Sequence, residues 1–205
     1  MDKTIGQGSR SRLTSVEQGA ATRAVITEAA GALIAEVGWG QVTTRAIAMR
    51  ADVPHGAVSY HFQGKEDLLR QAAIAGTRQA LAQPLEAARH ATGVHEVLDG
   101  TFAWFTDGGL NDPTVVLLLE TLRQSSRDPL LRAPIAEMLR AFRKALTDLA
   151  RADQEKGDLV AGVSPSGTAA LVAGLFDGLL LHLLLDPELD LHDAAGAVHT
   201  LLRGG

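Results

Sequence analysis

Between positions 43 and 65 lie ten residues whose side chains or backbone suit the holding of a nucleic acid: Thr43, Thr44, Arg45, His55, Gly56, Ala57, Ser59, Tyr60, His61 and Lys65. They offer hydroxyls, imidazoles, two cations and small groups, not the paired carboxylates or Ser–His–Asp sets that catalysis uses. Arg45 can meet a guanine edge with two parallel N–H bonds, or stand solvated. Thr43 and Thr44 start a helix, where free N–H groups suit a phosphate; capping alone would also account for them, and one residue can do both. His55 opens the next helix, whose first residues would lie nearest base edges, or is simply a polar helix start. Gly56 admits a close backbone approach or eases a turn, and Ala57 could meet only a thymine methyl. Lys65 sits at the start of a third helix, where the helix dipole disfavours a cation and favours the Glu66 and Asp67 that follow. An approaching phosphate explains that lysine; an indifferent surface position is the alternative. His61 packs at a helix end or touches a phosphate.

These groups need a scaffold, and the stretch 40–69 supplies one. A short helix over 44–51 and another over roughly 55–62 flank the turn Asp52-Val53-Pro54, which Pro54 enforces because it lacks an N–H and restricts Val53. Ile47, Ala48, Ala51, Val53, Val58 and Phe62 form a consistent inward set, with alanines small enough for two helices to cross closely. His55, Gly56, Ser59 and Tyr60 are left outward. This is the pattern of a helix-turn-helix, whose second helix fits a major groove.

Here the sequence resembles the TetR (tetracycline repressor) family of bacterial transcription regulators. The resemblance rests on Thr43-Thr44-Arg45, Ile47-Ala48, Val53, Gly56, His61-Phe62, Lys65 and Leu68-Leu69, preceded by Gly38-Trp39-Gly40 after an Ala-rich helix. It covers about residues 20–70. Two positions depart from the family pattern. Asp52 stands where the turn usually has Gly and must reach a left-handed conformation. Ser59 replaces the first of two consecutive rings late in the recognition helix, so a phosphate contact there would come from a shorter hydroxyl or from Tyr60.

The rest of the chain reads as helix throughout. Ile26, Ala29, Ala30, Leu33 and Val37 repeat at helical spacing before Gly38. A long helix starts at Lys65, with a kink expected at Pro84. Five more are predicted at about 94–106, 113–126, 129–156, 165–185 and 191–203, separated by Gly and Asp-Pro or Ser-Pro punctuation. The fold class is all-α with about nine helices. Three regions are expected: a flexible arm over 1–17, a three-helix DNA-binding domain over 18–70, and a ligand-binding and dimerisation domain over 71–205. Arg10 and Arg12 in the arm could enter a minor groove or remain solvated.

The resemblance implies that the C-terminal part binds a small inducer. Phe102, Trp104, Phe105, Phe142 and Phe176 are the scarce aromatic groups available to line an apolar pocket, with Arg123 and His182 among the polar groups available to orient a ligand. Ordinary core packing is the alternative for each. The resemblance also implies a homodimer through a four-helix bundle of the last two helices. Their apolar residues, Val172, Leu175, Leu179, Leu183, Val198, Leu201 and Leu202 among them, exceed what one core needs. Two recognition helices about 34–36 Å apart would then require a palindromic double-stranded operator.

Composition excludes several alternatives. With no Cys among 205 residues there is no thiol nucleophile, disulfide framework or Cys-based metal site. The seven His residues show no metal-binding spacing, and no phosphate loop or nucleophile elbow is present. No cofactor, metal or catalytic residue is therefore expected. A helical small-molecule-binding protein or an enzyme without operator binding is the competing reading. Residues 168–185 are apolar enough to raise a membrane span, but Asp177 lies near the middle, at a cost of about 2.5–3.5 kcal/mol on insertion scales. A core or dimer helix in a cytoplasmic protein is the expectation. The net charge of −5 argues against a general nucleic-acid coat, yet it is unevenly spread. Residues 1–70 carry 8 basic and 7 acidic groups, and residues 71–205 carry 11 and 17. A site-specific reader, most simply a repressor, is compatible with that division.

Overall fold

The structure is a computed structural model that describes residues 15–160 and 162–203. Among the described residues nine α-helices follow one another and no strand occurs. They are α1 (Ser15–Val37), α2 (Thr44–Arg50), α3 (His55–His61), α4 (Lys65–His90), α5 (Val94–Thr106), α6 (Pro113–Ser125), α7 (Pro129–Lys156), α8 (Pro165–Leu185) and α9 (Leu191–Arg203).

Local chemistry explains most boundaries. Asp112, Asp128 and Ser164 each precede a proline, and each accepts a backbone N–H from the first turn of α6, α7 or α8. A capping oxygen followed by a residue with no N–H to satisfy is an efficient helix start, and each cap stabilises by about 1 kcal/mol. Gly157 ends α7 at φ 83°, a left-handed cap that costs glycine little. α1 begins at Ser15, so Ser15, Val16 and Glu17, expected in the arm, are helical; an acidic first turn suits that end. Arg10 and Arg12 lie outside the described residues. α4 runs through Pro84 as one 26-residue element, although the proline removes one hydrogen bond.

Two apolar cores form. The first joins Ile26, Ala30 and Ile34 of α1 to Ile47, Val58, Phe62, Leu68 and Leu69, and also takes in Leu117 of α6 and Leu131 and Ile135 of α7. The second gathers Leu98, Phe102 and Phe105 of α5 with Phe142 and Leu146 of α7 and Val172, Leu179 and Leu183 of α8. α4 belongs to both, giving Leu68, Leu69, Ala72 and Ala73 to the first and Ala88 to the second. The boundary expected at residue 70 therefore falls inside a continuous helix, and the first core continues beyond it. Where α6 crosses α4 the fit is close: a Cβ added to Gly76 would lie 2.2 Å from Leu117 Cδ2.

Candidate nucleic-acid interface

α2 and α3 are seven residues each, too short to stand alone, so tertiary contacts must hold them. Ile47 and Val58 are fully or almost fully buried and Phe62 closes the space behind them. The turn between the helices places Asp52 at φ 51°, the left-handed conformation expected of it. Thr43 caps α2 by accepting the Ala46 N–H at 3.1 Å, which leaves its own O–H free to donate. Thr44 Oγ1 lies 3.4 Å from His55 Nε2, so the first turns of α2 and α3 stand side by side.

The other outward residues fall as the helical phase requires. Arg45, His55, Gly56 and Ser59 are exposed, and Tyr60 is 85% exposed with its ring edge-on to His61. Thr44, His61 and Lys65 are half-buried. Ala57 is half-buried too and packs against the first core, so it does not stand free with the others.

Electrostatics separate the cations sharply. The basic residues of the described stretch 15–70 are Arg23, Arg45, Arg50, Lys65 and Arg70. Arg50 pairs with Glu36 at 2.7 Å, and the bond to this arginine holds the Glu36 carboxyl below the usual range. Arg70 pairs with Asp128 at 2.7 Å, joining α4 to the start of α7. Arg23 is occupied by the His61 carbonyl and the Gln71 side chain. Arg45 and Lys65 make no ion pair or side-chain hydrogen bond among the described residues. Around Lys65, Asp67 accepts the Gln63 N–H at 3.0 Å and the Gln71 amide at 2.9 Å. Glu66 accepts the Trp39 indole N–H at 3.3 Å. Both neighbouring acids are thus engaged with other groups.

Sequence profiles fit this arrangement at both ends of the chain. The profile of bacterial regulatory proteins of the tetR family matches residues 26–72, and that of the C-terminal part of BetI-type transcriptional repressors matches residues 102–204. The chain belongs to the TetR family. It is a DNA-binding transcriptional regulator of that family.

Solved structures of TetR-like architecture superpose over most of the chain. A transcriptional regulator from Streptomyces coelicolor A3(2) is 28% identical, with a TM-score of 0.69 over 89% of this chain and 99% of its own. FadR from Bacillus subtilis, in complex with stearoyl-CoA, is 25% identical, with a TM-score of 0.68 over 89% and 98%. A regulator from Saccharomonospora viridis, in complex with choline, shares the fold at 20% identity, with a TM-score of 0.73 over 88% and 94%. Among curated proteins none matches the chain in sequence.

In the TetR C-terminal part the aromatic residues divide. Phe102, Phe105 and Phe142 are buried in the second core and Phe176 packs against it. Trp104, expected beside them, is instead 39% exposed, because it lies off the stripe Val94, Val97, Leu98, Phe102, Phe105 that α5 buries. Its ring covers Gly109, where any Cβ would come within 2.2 Å. Arg123, expected to orient a ligand, is exposed and paired with Glu120 at 2.8 Å. His182 is also exposed and is not among the residues of the second core. Asp177, one residue beyond Phe176, has its carboxyl pushed above the usual range by nearby apolar atoms, although part of the residue stays open; the charge of Arg143 pulls the other way. An open cleft of about 480 Å³ lies elsewhere, lined by Thr92, His95, Glu96, Asp153 and Arg203 among others and by none of these aromatic residues.

The excess of apolar residues expected in the last two helices includes an outward set on α8 that the sequence did not single out. Leu171, Leu181 and Leu185 are 70%, 51% and 87% exposed, and with Gly174 and Gly178 they form a single outward stripe at helical spacing. Leu201 of α9 is 76% exposed. By length and composition α8 could also cross a membrane; its inner side packs along α7.

Proposed function

We propose that the chain is a repressor that binds a palindromic operator as a homodimer and leaves it when a small molecule occupies the C-terminal part. No catalytic step, metal or cofactor belongs to this reading. The observation that carries it is the pair of unpartnered cations, Arg45 and Lys65, in a region where every other described basic residue is engaged. An arginine and a lysine without carboxylates are groups that DNA can use. Arg45 is assigned to a base edge, with His55 and the backbone at Gly56 beside it, and Thr43, Thr44, Ser59, Tyr60, His61 and Lys65 to the phosphate backbone. Ala57 is kept only as a methyl contact at the edge of the core.

The outward stripe of α8 and Leu201 of α9 support the dimer. A helix apolar on all sides needs burial on both faces, and Gly174 and Gly178, with open space over their Cα atoms, let a second helix approach closely. The inducer is assigned to the second core beside Phe102, Phe105, Phe142 and Phe176. α4 carries the signal, because it starts at the Lys65 end of the DNA face and ends in the second core. Shifting such a two-state equilibrium nearly completely takes about 5.5 kcal/mol of differential ligand affinity.

A mobility-shift titration on the DNA upstream of the chain's own gene tests this. Arg45→Ala and His55→Ala should each relax preference at one base pair per half-site, at about 1–3 kcal/mol. Wild-type protein that binds this DNA no better than unrelated DNA would defeat the reading.

A further inference from the structure

We infer that Arg23 is a positioning residue that sets the pose of the recognition helix α3 and ties it to α4; the role rests on the DNA-binding reading above. Arg23 lies on α1 and is half-buried. One arm of its guanidinium donates to the carbonyl of His61, in the last turn of α3, where carbonyls have no partner within the helix. The other arm donates to Gln71 Oε1 on α4. The plane of the group stands 4.4 Å from the centre of the Phe62 ring, within cation–π range. One side chain therefore touches α3, the residue that follows it, and α4.

The contact continues beyond Gln71. The Gln71 amide donates to Asp67 Oδ1 at 2.9 Å, and Asp67 Oδ2 accepts the Gln63 N–H at 3.0 Å. The segment from His61 to Asp67, from which Lys65 projects, is thus held at both ends by a chain that starts on Arg23. α3 needs this, since Val58 is its sole fully buried residue among the described ones, and beyond the packing of Val58 and half-buried Ala57 its first turn has the long Thr44–His55 contact. Any displacement of α4 reaches the end of α3 through Gln71 and Arg23. A lysine has three donors, but all on one nitrogen, so it cannot span the His61 carbonyl and Gln71 as two separate nitrogens do, and it has no flat face for Phe62. The apolar core around Ile26 and Leu69 does not depend on the guanidinium, so the fold survives its loss.

Arg23→Gln and Arg23→Lys, measured beside wild type and Arg45→Ala, test the assignment. Both Arg23 variants should bind the upstream operator about tenfold more weakly. Their affinity for unrelated DNA, the slope of log affinity against log salt, and the melting temperature should stay as in wild type. Gln71→Ala should weaken binding in the same way, and the Arg23→Gln/Gln71→Ala double variant should lose no more than Arg23→Gln alone. A salt slope reduced by about one per subunit would mean that Arg23 touches a phosphate, and would overturn the proposal. So would unchanged operator affinity, or parallel losses of specific binding, non-specific binding and melting temperature. Amide hydrogen exchange of the full chain without DNA keeps the test open if wild type itself binds no upstream DNA. Exchange at His61 to Gln63 should quicken at least fivefold in Arg23→Gln while Ala29 to Ile34 keeps its wild-type rate. Equal exchange at 61–63 would overturn the clamp whatever the DNA result.

Discussion

The two halves of this chain leave opposite surfaces unsatisfied. Around α2 and α3 the apolar residues other than Met49 are mostly inside, and what remains without a partner is charge: Arg45 and Lys65, in a segment 1–70 with 8 basic and 7 acidic residues. Along α8 and α9 the side-chain charges matter less, and what remains uncovered is hydrocarbon: Leu171, Leu181, Leu185 and Leu201. A protein surface tolerates scattered examples of either kind, but a clustered set implies something that covers it. Unpaired cations beside hydroxyls suit a polyanion. A leucine stripe with glycines between suits a second helix. The same helical architecture thus presents two differently prepared faces, linked through α4 and through α7, which packs on both α4 and α8.

Breaking the apolar face should have the largest effect. Leu181→Arg places a charge in the middle of the α8 stripe without touching either core, so folding should persist while light scattering falls from the mass of two copies to one. Operator affinity should drop by a factor of about 100 or more, because one half-site then binds without the other. A variant that stays dimeric would move the interface away from this stripe.

The charged face can be sharpened by contrasting two nearby cations. Lys65→Ala should weaken binding to every DNA sequence and reduce the salt slope by about 0.9 per subunit, as expected for one lost phosphate contact. Arg50→Ala should leave the slope unchanged, since Glu36 already holds that arginine. Equal slopes for the two variants would mean that paired and free cations do not differ at this face.

How much of this was legible in the sequence depended on the range of the interaction. Helix boundaries were readable because Asp112-Pro113, Asp128-Pro129 and Ser164-Pro165 act locally, through a capping oxygen and a missing N–H. The left-handed Asp52 was readable from the resemblance, because the family usually has Gly at that turn position. The pairings were not. Arg23 and His61 are 38 positions apart, Arg70 and Asp128 are 58 apart, and no local pattern announces either contact. Trp104 illustrates the opposite error: aromatic composition suggested a pocket wall, whereas the phase of α5 turns that ring outward onto Gly109. The resemblance marks out the helix-turn-helix because the residues that define it lie close together, and says little of the C-terminal half because its pattern there is mostly apolar spacing.

The contact between α5 and α9 predicts a pH effect on the second half alone. His95 Nδ1 and His199 Nδ1 are 2.6 Å apart in near-parallel rings, and His199 Nε2 lies 2.8 Å from Asp99. The geometry closes when His95 donates to His199 and His199 donates to Asp99, with one proton between the rings. Burial, then the charges of His199 and Arg203, hold the His95 imidazole below its ordinary range; Asp153 and Asp99 pull the other way. The unfolded chain therefore takes up a proton near pH 6.5 while native His95 stays neutral. Stability should fall as pH drops below about 6.5, and His95→Gln should flatten that dependence in melting curves between pH 7.5 and 5.5. α9 has no fully buried residue among those described, so its amides should exchange first.

The smallest effect concerns the turn that sets the crossing of α2 and α3. At φ 51° Asp52 is the one described non-glycine residue with positive φ. Such a conformation costs an L-residue about 1–2 kcal/mol, less when a short polar side chain can bond locally. Glycine removes the strain but gives back about 0.5–1 kcal/mol in chain entropy. Asp52→Gly should therefore raise stability by about 0.5–1 kcal/mol, seen as a higher denaturant midpoint at an unchanged slope. Operator affinity should not move, because the pose of α3 is fixed at its two ends by His55 and by the Arg23 contact at His61, not by the stiffness of the turn. Weaker operator binding in a more stable Asp52→Gly protein would show that the turn, and not those end contacts, holds the recognition helix in register with DNA.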